Sequence, residues 1–482
     1  MKKLFFICMA FACIQPKVNA QQTTNLYSRI DNYLSAGTNN GFSGAISVVK
    51  KGNIVINKGY GIANKNTQTL NNPNTIFDIG SNTKQFTATA ILKLAELGKL
   101  KLENPLSNFF KNLPKDKENI TVHQLLTHTA GFVESIGKDF DKISTEAFFK
   151  QLFASKLQSK PGEKYSYSNA GYSVLGRIIE LASGQTYEAF LQEYLFTPAG
   201  MKQTGYLLPK WNTKQLSRSY NRGVLDSESG IIRYQKDGGV TWHLKANGGI
   251  YSTQNDMLLW FKALKSNTVI SKASFDKLTA SHAHYSSGKY KYAYAYGWVV
   301  RILKNDVKRI AHNGSNGAYS HSLIWFPDED IYIVYVTNAN SEKVEHIAYT
   351  VAKMIFDKEY TPEPIQNNVY AYTMNYIEQH STDTSNELLS LLKENYPDNF
   401  DSSSLLNTLG NLLLQLDKHL NWALELFKQN VRLYPEDGNL WDSLGDGYRA
   451  NKLKEDAIKS YQKAIKLGYQ NSQSKLDALL KN

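Results

Sequence analysis

Phe77-Asp-Ile-Gly-Ser81-Asn-Thr-Lys84-Gln-Phe86-Thr-Ala-Thr-Ala90-Ile-Leu-Lys-Leu94-Ala-Glu-Leu97-Gly98 is the stretch from which the rest of the chain is best read. Phe86, Ala90, Leu94 and Leu97 recur at the spacing that lines up apolar side chains on one helix face. Gly98 stands where a C-terminal cap is expected, so the spacing predicts a helix over 81–97. Ser81 and Lys84 lie three residues apart at its start, on one face of the helix, so the lysine amine can reach the serine hydroxyl. A partly desolvated lysine gives up its proton more readily. It can then take the hydroxyl proton and leave a nucleophilic oxygen. The helix N-terminus adds partial positive charge where an oxyanion would develop. Ser-x-x-Lys alone is a weak signal, because a solvated helix start carries the same spelling.

Outward from this helix, Thr24 to Leu34 reads as a short amphipathic helix. Gly44–Val49 and Asn53–Lys58 read as two strands joined by a hairpin turn. A long helical and loop region follows to about residue 290. Strand patterns return at Tyr296–Leu303, Val307–His312, His321–Phe326 and Ile331–Thr337, and Ser341–Phe356 reads as a helix. Strands at the two ends, joined by short turns and separated by helices, predict the α+β class: one antiparallel sheet with a helical subdomain.

Residues 358–368, with Pro362 and Pro364, read as a linker, and from 369 to 482 the pattern is all-helical. Trp441-Asp-Ser-Leu444-Gly445-Asp-Gly-Tyr448, continued by Ala457, Tyr461 and Ala464, reproduces the tetratricopeptide pattern. Leu409-Gly410, Ala423 and Phe427 echo it about 34 residues earlier, the usual repeat length. A degenerate helix pair from 369 to 395 is expected to cap the array. The helices offer a surface for a protein or peptide partner, or equally a packing or dimer face.

The first twenty residues carry Lys2 and Lys3, an apolar run from Leu4 to Ala12, and small residues ending at Ala20, the pattern of a secretory signal peptide. The run is shorter than the roughly 20 apolar residues a membrane span needs. The expected domains are therefore 1–20 (signal peptide, cleaved after Ala20), 21–357 (hydrolase), 358–368 (linker) and 369–482 (helical repeats), with a periplasmic or secreted destination. A lipid anchor at Cys13 is the second reading of the leader. Both cysteines, Cys8 and Cys13, leave with it, as do Lys2, Lys3 and Lys17, taking the net charge from +12 to +9. The basic residues are scattered, which points away from nucleic-acid recognition. With 42% hydrophobic and 20% charged residues the chain is of ordinary globular composition. No other segment is apolar and long enough to span a membrane, and neither a metal nor another cofactor is called for; His282-Ala-His284 lacks a third ligand nearby and reads as a solvated loop.

Two further constellations stand beside Ser81. Tyr167-Ser-Asn169 offers a phenol that can relay a proton and an amide that can bind a substrate carbonyl or the lysine. His312-Asn-Gly314-Ser315 ends a predicted strand, where an edge could pair with a substrate backbone and glycine permits close approach. Taken separately, each is matched by a bland alternative, a turn with a buried tyrosine and an ordinary strand end.

Together, Ser81-x-x-Lys84, Tyr167-x-Asn169 and His312-Asn-Gly314 resemble the serine β-lactamase and penicillin-binding-protein superfamily, with its Ser-x-x-Lys, Ser-Asp-Asn or Tyr-x-Asn, and Lys-Thr-Gly elements. Tyr-x-Asn looks like the class C β-lactamase branch, which also holds esterases, D-aminopeptidases and DD-carboxypeptidases. Thr121–Phe132, Asn247–Thr253 and Tyr296-Gly-Trp298 are similar to that branch too, and the likeness covers about 25–357. It implies a β-lactamase/transpeptidase-like fold and an acyl-enzyme on Ser81, with Lys84 and Tyr167 sharing acid and base duty. It also implies an oxyanion hole from the backbone N–H groups of Ser81 and Ser315, a substrate-orienting Asn169, and His128 in a structural role. His312 replaces the lysine that helps hold a substrate carboxylate. A free histidine titrates near about 6.5, so the expected activity shifts toward an esterase, amidase or D-aminopeptidase acting on ester, amide or peptide bonds. A weak β-lactamase, or a catalytically idle peptidoglycan or peptide sensor that recruits partners through the repeats, are the alternatives.

Overall fold

The structure is a computed structural model describing residues 18–339, 346–366, 368–400 and 402–481. The apolar run of the expected leader, with Cys8 and Cys13, lies outside the described residues. The first helix, α1 (Val18–Thr38), spans the expected cleavage point after Ala20.

The hairpin expected near the N-terminus forms between β1 (Gly44–Lys50) and β2 (Asn53–Tyr60). Lys51 (φ 50) and Gly52 (φ 76) make its two-residue turn, both in the left-handed region that matches the strand twist. α2 (Thr83–Glu96) is preceded by a single 3-10 turn, Gly80–Asn82, so Ser81 sits on the tighter turn at the mouth of the predicted helix. α3 (Asn169–Ser183) follows, its N-cap Ser168 accepting the Gly171 N–H. The remaining strands of the main sheet are β3 (Ala283–Ser287), β4 (Tyr290–Tyr294), β5 (Val299–Ile302), β6 (Lys308–Asn316), β7 (Tyr319–Phe326) and β8 (Ile331–Thr337), and α4 is Ile347–Phe356.

These strands form one eight-stranded sheet in the order β2-β1-β8-β7-β6-β5-β4-β3, with antiparallel neighbours throughout. The strand that opens the region therefore pairs with the strand that closes it, Gly44 opposite Thr337. β3 and β4 correct the expectation of helix and loop up to residue 290. Alternation along β7 and β8 divides two cores: Leu323 and Val334 join the large cluster of the helical subdomain, and Ile324 and Ile333 pack with Ile30 of α1 and Val351 of α4. Phe86 of α2 is fully buried, edge-on to Phe196 and Trp260 at ring distances of 5.1 and 4.8 Å, and truncating such a side chain costs about 3–5 kcal/mol.

From residue 369 the chain is helical: seven helices among the described residues, from Val369–Gln379 to Ser472–Lys481. The same packing device occurs twice. A Cβ on Gly410 would lie 2.5 Å from the Phe427 ring and one on Gly445 2.4 Å from the Tyr461 ring, so each glycine admits an aromatic of the following helix. The segment before these helices is held against α1, with Arg29 donating to the carbonyls of Met354 (3.0 Å) and Tyr360 (2.8 Å) and Asn40 donating to that of Ile365 (2.7 Å). A short hairpin of Ser219–Asn221 and Leu225–Ser227 joins the two regions. At its tip Val224 packs on the helical core, Arg222 lies over the Tyr370 ring at 4.6 Å, and Asn368 donates to the Arg222 carbonyl at 2.9 Å. Its base, through Ser219 and Ser227, lines a cavity of about 670 Å³ shared with Asp78 and Asn316.

Candidate active site

Ser81 is presented by a turn pressed against the end of β6, and glycines on both sides allow the approach. A Cβ on Gly314 would lie 2.1 Å from the Ile79 carbonyl oxygen and 2.8 Å from the Ser81 nitrogen; one on Gly80 (φ +52) would lie 2.5 Å from the Ser315 nitrogen. The backbone of Ser81 and the backbone of Ser315 are thus brought together, as an oxyanion hole requires.

Lys84 is fully buried one turn behind Ser81. Its Nζ lies 2.7 Å from Asn169 Oδ1, 2.7 Å from the Asn247 carbonyl oxygen and 3.1 Å from Ser81 Oγ. Burial holds the ammonium well below the ordinary lysine range, while Glu134 and Asp139 oppose this from a distance. The geometry suits the neutral amine. Its two N–H groups are taken by two carbonyl oxygens that can only accept, which leaves the lone pair for the Ser81 hydroxyl.

Tyr167 lies over the same lysine, its ring centroid 4.8 Å from Nζ. Burial raises its phenol, and a hydrogen bond with Ser81 works the other way. His128 brackets this tyrosine: its carbonyl accepts the Ser166 N–H at 2.8 Å and its Nδ1 accepts the Ser168 N–H at 3.0 Å. The histidine is itself in the left-handed region (φ 58) and stacks 4.3 Å from the Tyr167 ring. It is a buried structural clamp, kept neutral by burial.

His312 is buried beside Tyr167, ring centroids 6.4 Å apart. Its Nδ1 lies 2.6 Å from the Asn313 carbonyl oxygen, which only accepts, so the proton is on Nδ1 and Nε2 accepts from the Tyr294 hydroxyl at 3.1 Å. Burial, then the Lys84 charge, push the ring down to about 3. His312 is therefore neutral throughout the physiological range, and both ring nitrogens are occupied by the protein. β6 as a whole is an interior strand, which corrects the expectation of an edge. Its pairing with β5 ends at Ala311, so only the His312–Asn316 half is left unpaired on that side.

The structure brings Ser81, Lys84, Tyr167 and Asn169 into one cluster, sets Gly314 and Ser315 against it, and holds His312 behind Tyr167. Two contributors escaped the sequence reading. The Asn247 carbonyl reaches Lys84 because Ala246 (φ 71) and Gly249 (φ 72) turn the chain and the Asn247 side chain is tied to Ser173 and the His243 carbonyl; the only signal was the Asn-Gly-Gly spelling. Asp78 is buried three residues before Ser81 and accepts from the Gly80 N–H and from Asn316 Nδ2, both at 2.7 Å. Burial raises its carboxyl to about 7, against those two hydrogen bonds. His282 is not in a solvated loop: it stacks on Tyr296 at 4.1 Å and contacts the Lys277 carbonyl. Among the described residues no three His, Cys, Asp or Glu side chains come together as a metal site, and no helix is long and apolar enough to cross a membrane.

Residues 30–353 match the sequence model of the Beta-lactamase family. The chain is 32% identical over 274 residues to a putative penicillin-binding protein, PbpX, of Bacillus subtilis (strain 168), covering 56% of this chain and 66% of that one. It thus spans about two thirds of the length of this curated relative. Among solved structures, a Beta-Lactamase/D-Alanine Carboxypeptidase from Pseudomonas syringae superposes with a TM-score of 0.60 at 17% identity, covering 71% of this chain and all (100%) of that one. A D-amino acid amidase from Ochrobactrum anthropi SV3 superposes with a TM-score of 0.59 at 20% identity, covering 70% and 100%. At these identities the two structures speak for the fold.

Proposed function

Because this chain belongs to the Beta-lactamase family of serine hydrolases, we propose that it hydrolyses ester or amide bonds through an acyl-enzyme on Ser81. The observation that carries the reading is the environment of Lys84: a buried amine with two carbonyl acceptors and the Ser81 hydroxyl as its third neighbour. In acylation the Ser81 proton passes to the Lys84 lone pair as Oγ bonds to the substrate carbonyl carbon. The oxyanion is met by the N–H groups of Ser81 and Ser315. Collapse breaks the bond to the leaving alcohol or amine, which takes its proton from Tyr167 as Lys84 reprotonates the phenol. Water then releases the acid by the same route in reverse. Asn169, its carbonyl occupied by Lys84, has its amide N–H groups available to a substrate carbonyl.

The neutral, internally bonded His312 supports acyl donors without a free carboxylate, such as esters and D-amino-acid amides, over penicillins and peptides ending in D-Ala-D-Ala. The leader pattern supports export to the periplasm or medium with a mature N-terminus at Gln21. The paired C-terminal helices support tetratricopeptide-like binding of a peptide partner. Fluorophosphonate labelling tests the nucleophile: wild type is labelled and Ser81→Ala is not. Labelling that survives in Ser81→Ala sinks the proposal. A substrate screen of p-nitrophenyl esters, D-amino-acid amides, nitrocefin and D-Ala-D-Ala peptides then ranks the substrate classes. Turnover confined to nitrocefin would favour a β-lactamase, and no turnover a sensor.

A further inference from the structure

The two proposed oxyanion donors, on Ser81 and Ser315, come from chain segments more than two hundred residues apart, and their contact through Gly80 and Gly314 is a bare backbone approach with no directional bond of its own. Asp78 supplies direction on both sides. Its Oδ1 accepts the N–H of Gly80, the residue before Ser81, and its Oδ2 accepts from the side chain of Asn316, the residue after Ser315, each at 2.7 Å. The carboxylate is itself fixed, because Phe77–Asp78 is a strand paired with Tyr251–Ser252, Asp78 opposite Tyr251, and the residue is 1% exposed. A second tie runs between the same two segments: Asn82 Nδ2 lies 3.0 Å from His321 Nδ1 and donates to the His321 carbonyl at 3.2 Å, and His321 is the β7 partner of Gly314.

We propose that Asp78 is a positioning residue that sets the separation of the Ser81 and Ser315 N–H groups by bonding one carboxylate oxygen to each segment. The proposal rests on Ser81 as the nucleophile. Oxyanion donors act only when placed for the transition state, so loss of the tie lowers turnover and leaves ground-state binding nearly intact.

The test uses full-length wild type, Asp78→Ala, Asn316→Ala and the exchanged pair Asp78→Asn with Asn316→Asp, with kcat expressed per fluorophosphonate-titrated site. Asp78→Ala removes both acceptors and so both ties, and an about 1 Å misplacement near the chemistry costs ~10²-fold, so kcat should fall about 30–100-fold with KM within about threefold. Asn316→Ala, at a half-buried position, keeps the Gly80 bond and should lose about tenfold. In the exchanged pair the amide oxygen introduced at position 78 accepts from the Gly80 N–H, and its N–H₂ donates to the carboxylate introduced at position 316. There kcat should return to within about threefold of wild type. Single variants with wild-type kcat per site would overturn the proposal, as would an exchanged pair no better than Asp78→Ala. A wild type that turns over substrate without labelling at Ser81 removes the underlying reading, which is a separate outcome.

Discussion

Replacing His321 by Asn should flatten the acid sensitivity of this protein by a predictable amount. His321 is 2% exposed, and burial alone pushes its ring from the ordinary 6.5 down to about 3. The unfolded chain takes up that proton below about 6.5 and the native state refuses it until about 3, so the unfolded state binds more protons across this window. Stability from this residue is thus fully present above pH 6.5 and is lost as pH falls. The slope approaches about 1.4 kcal/mol per pH unit below the unfolded value, or about 2.3 kcal/mol between pH 6.5 and 4.5. His312 and His128 add slopes of the same sign, and Asp78, raised to about 7, adds one of the opposite sign. The difference between wild type and His321→Asn isolates the one term. By scanning calorimetry the gap between the two melting temperatures should close, or reverse, by about 3 °C from pH 6.5 to 4.5, at about 1.5 °C per kcal/mol for a region of more than about 300 residues. Activity should follow, since a protonated Nδ1 cannot accept from Asn82, the residue after Ser81. Melting curves that fall in parallel over that range would refute the argument from burial.

Lys84→Arg replaces the neutral amine by a permanent cation and so removes the base, because a guanidinium does not deprotonate in a protein; esterase turnover should fall at least about 10³-fold, as read by burst kinetics. Gly314→Ala places a methyl against the Ile79 carbonyl at 2.1 Å; we expect about 1–3 kcal/mol of destabilisation from overpacking in chemical denaturation, with a drop in kcat. His312→Lys should raise the relative kcat/KM for substrates with a free carboxylate by about tenfold, the worth of one modest charge-assisted hydrogen bond, measured with paired acid and amide substrates.

Much of this was legible in the sequence where one physical pattern dominates locally. The β1–β2 hairpin and the strands β6 to β8 are written in β-branched and aromatic runs punctuated by turn residues, and α2 in its apolar spacing. β3 and β4 were not legible: Ser-Ser-Gly-Lys-Tyr-Lys-Tyr lies at the margin of the sheet and is largely exposed, so its Lys-Tyr alternation marks no buried apolar face. At the site, Ser81, Lys84, Tyr167 and Asn169 declared themselves through side-chain chemistry at fixed spacing. The Asn247 carbonyl did not, because every residue carries one and only the backbone turn aims it. Asp78 was hidden for another reason: its bond to the Gly80 N–H is local, but the partner that gives it meaning, Asn316, is set by tertiary contact 238 residues away.

The Ser219–Ser227 hairpin has its tip among the C-terminal helices and its base in the wall of the cavity beside Asp78 and Asn316. It behaves as a splint that crosses the seam between two regions whose compositions look separable. Cutting the chain between residues 358 and 368 would strip Val224 of its apolar seat and Arg222 of its aromatic one, and the loosened loop would relax toward the cavity. A hydrolase region prepared alone would therefore report on a differently shaped cavity, and changes on the helices that reach Tyr370 or Asn368 would be transmitted to the wall that holds Asp78 and Asn316.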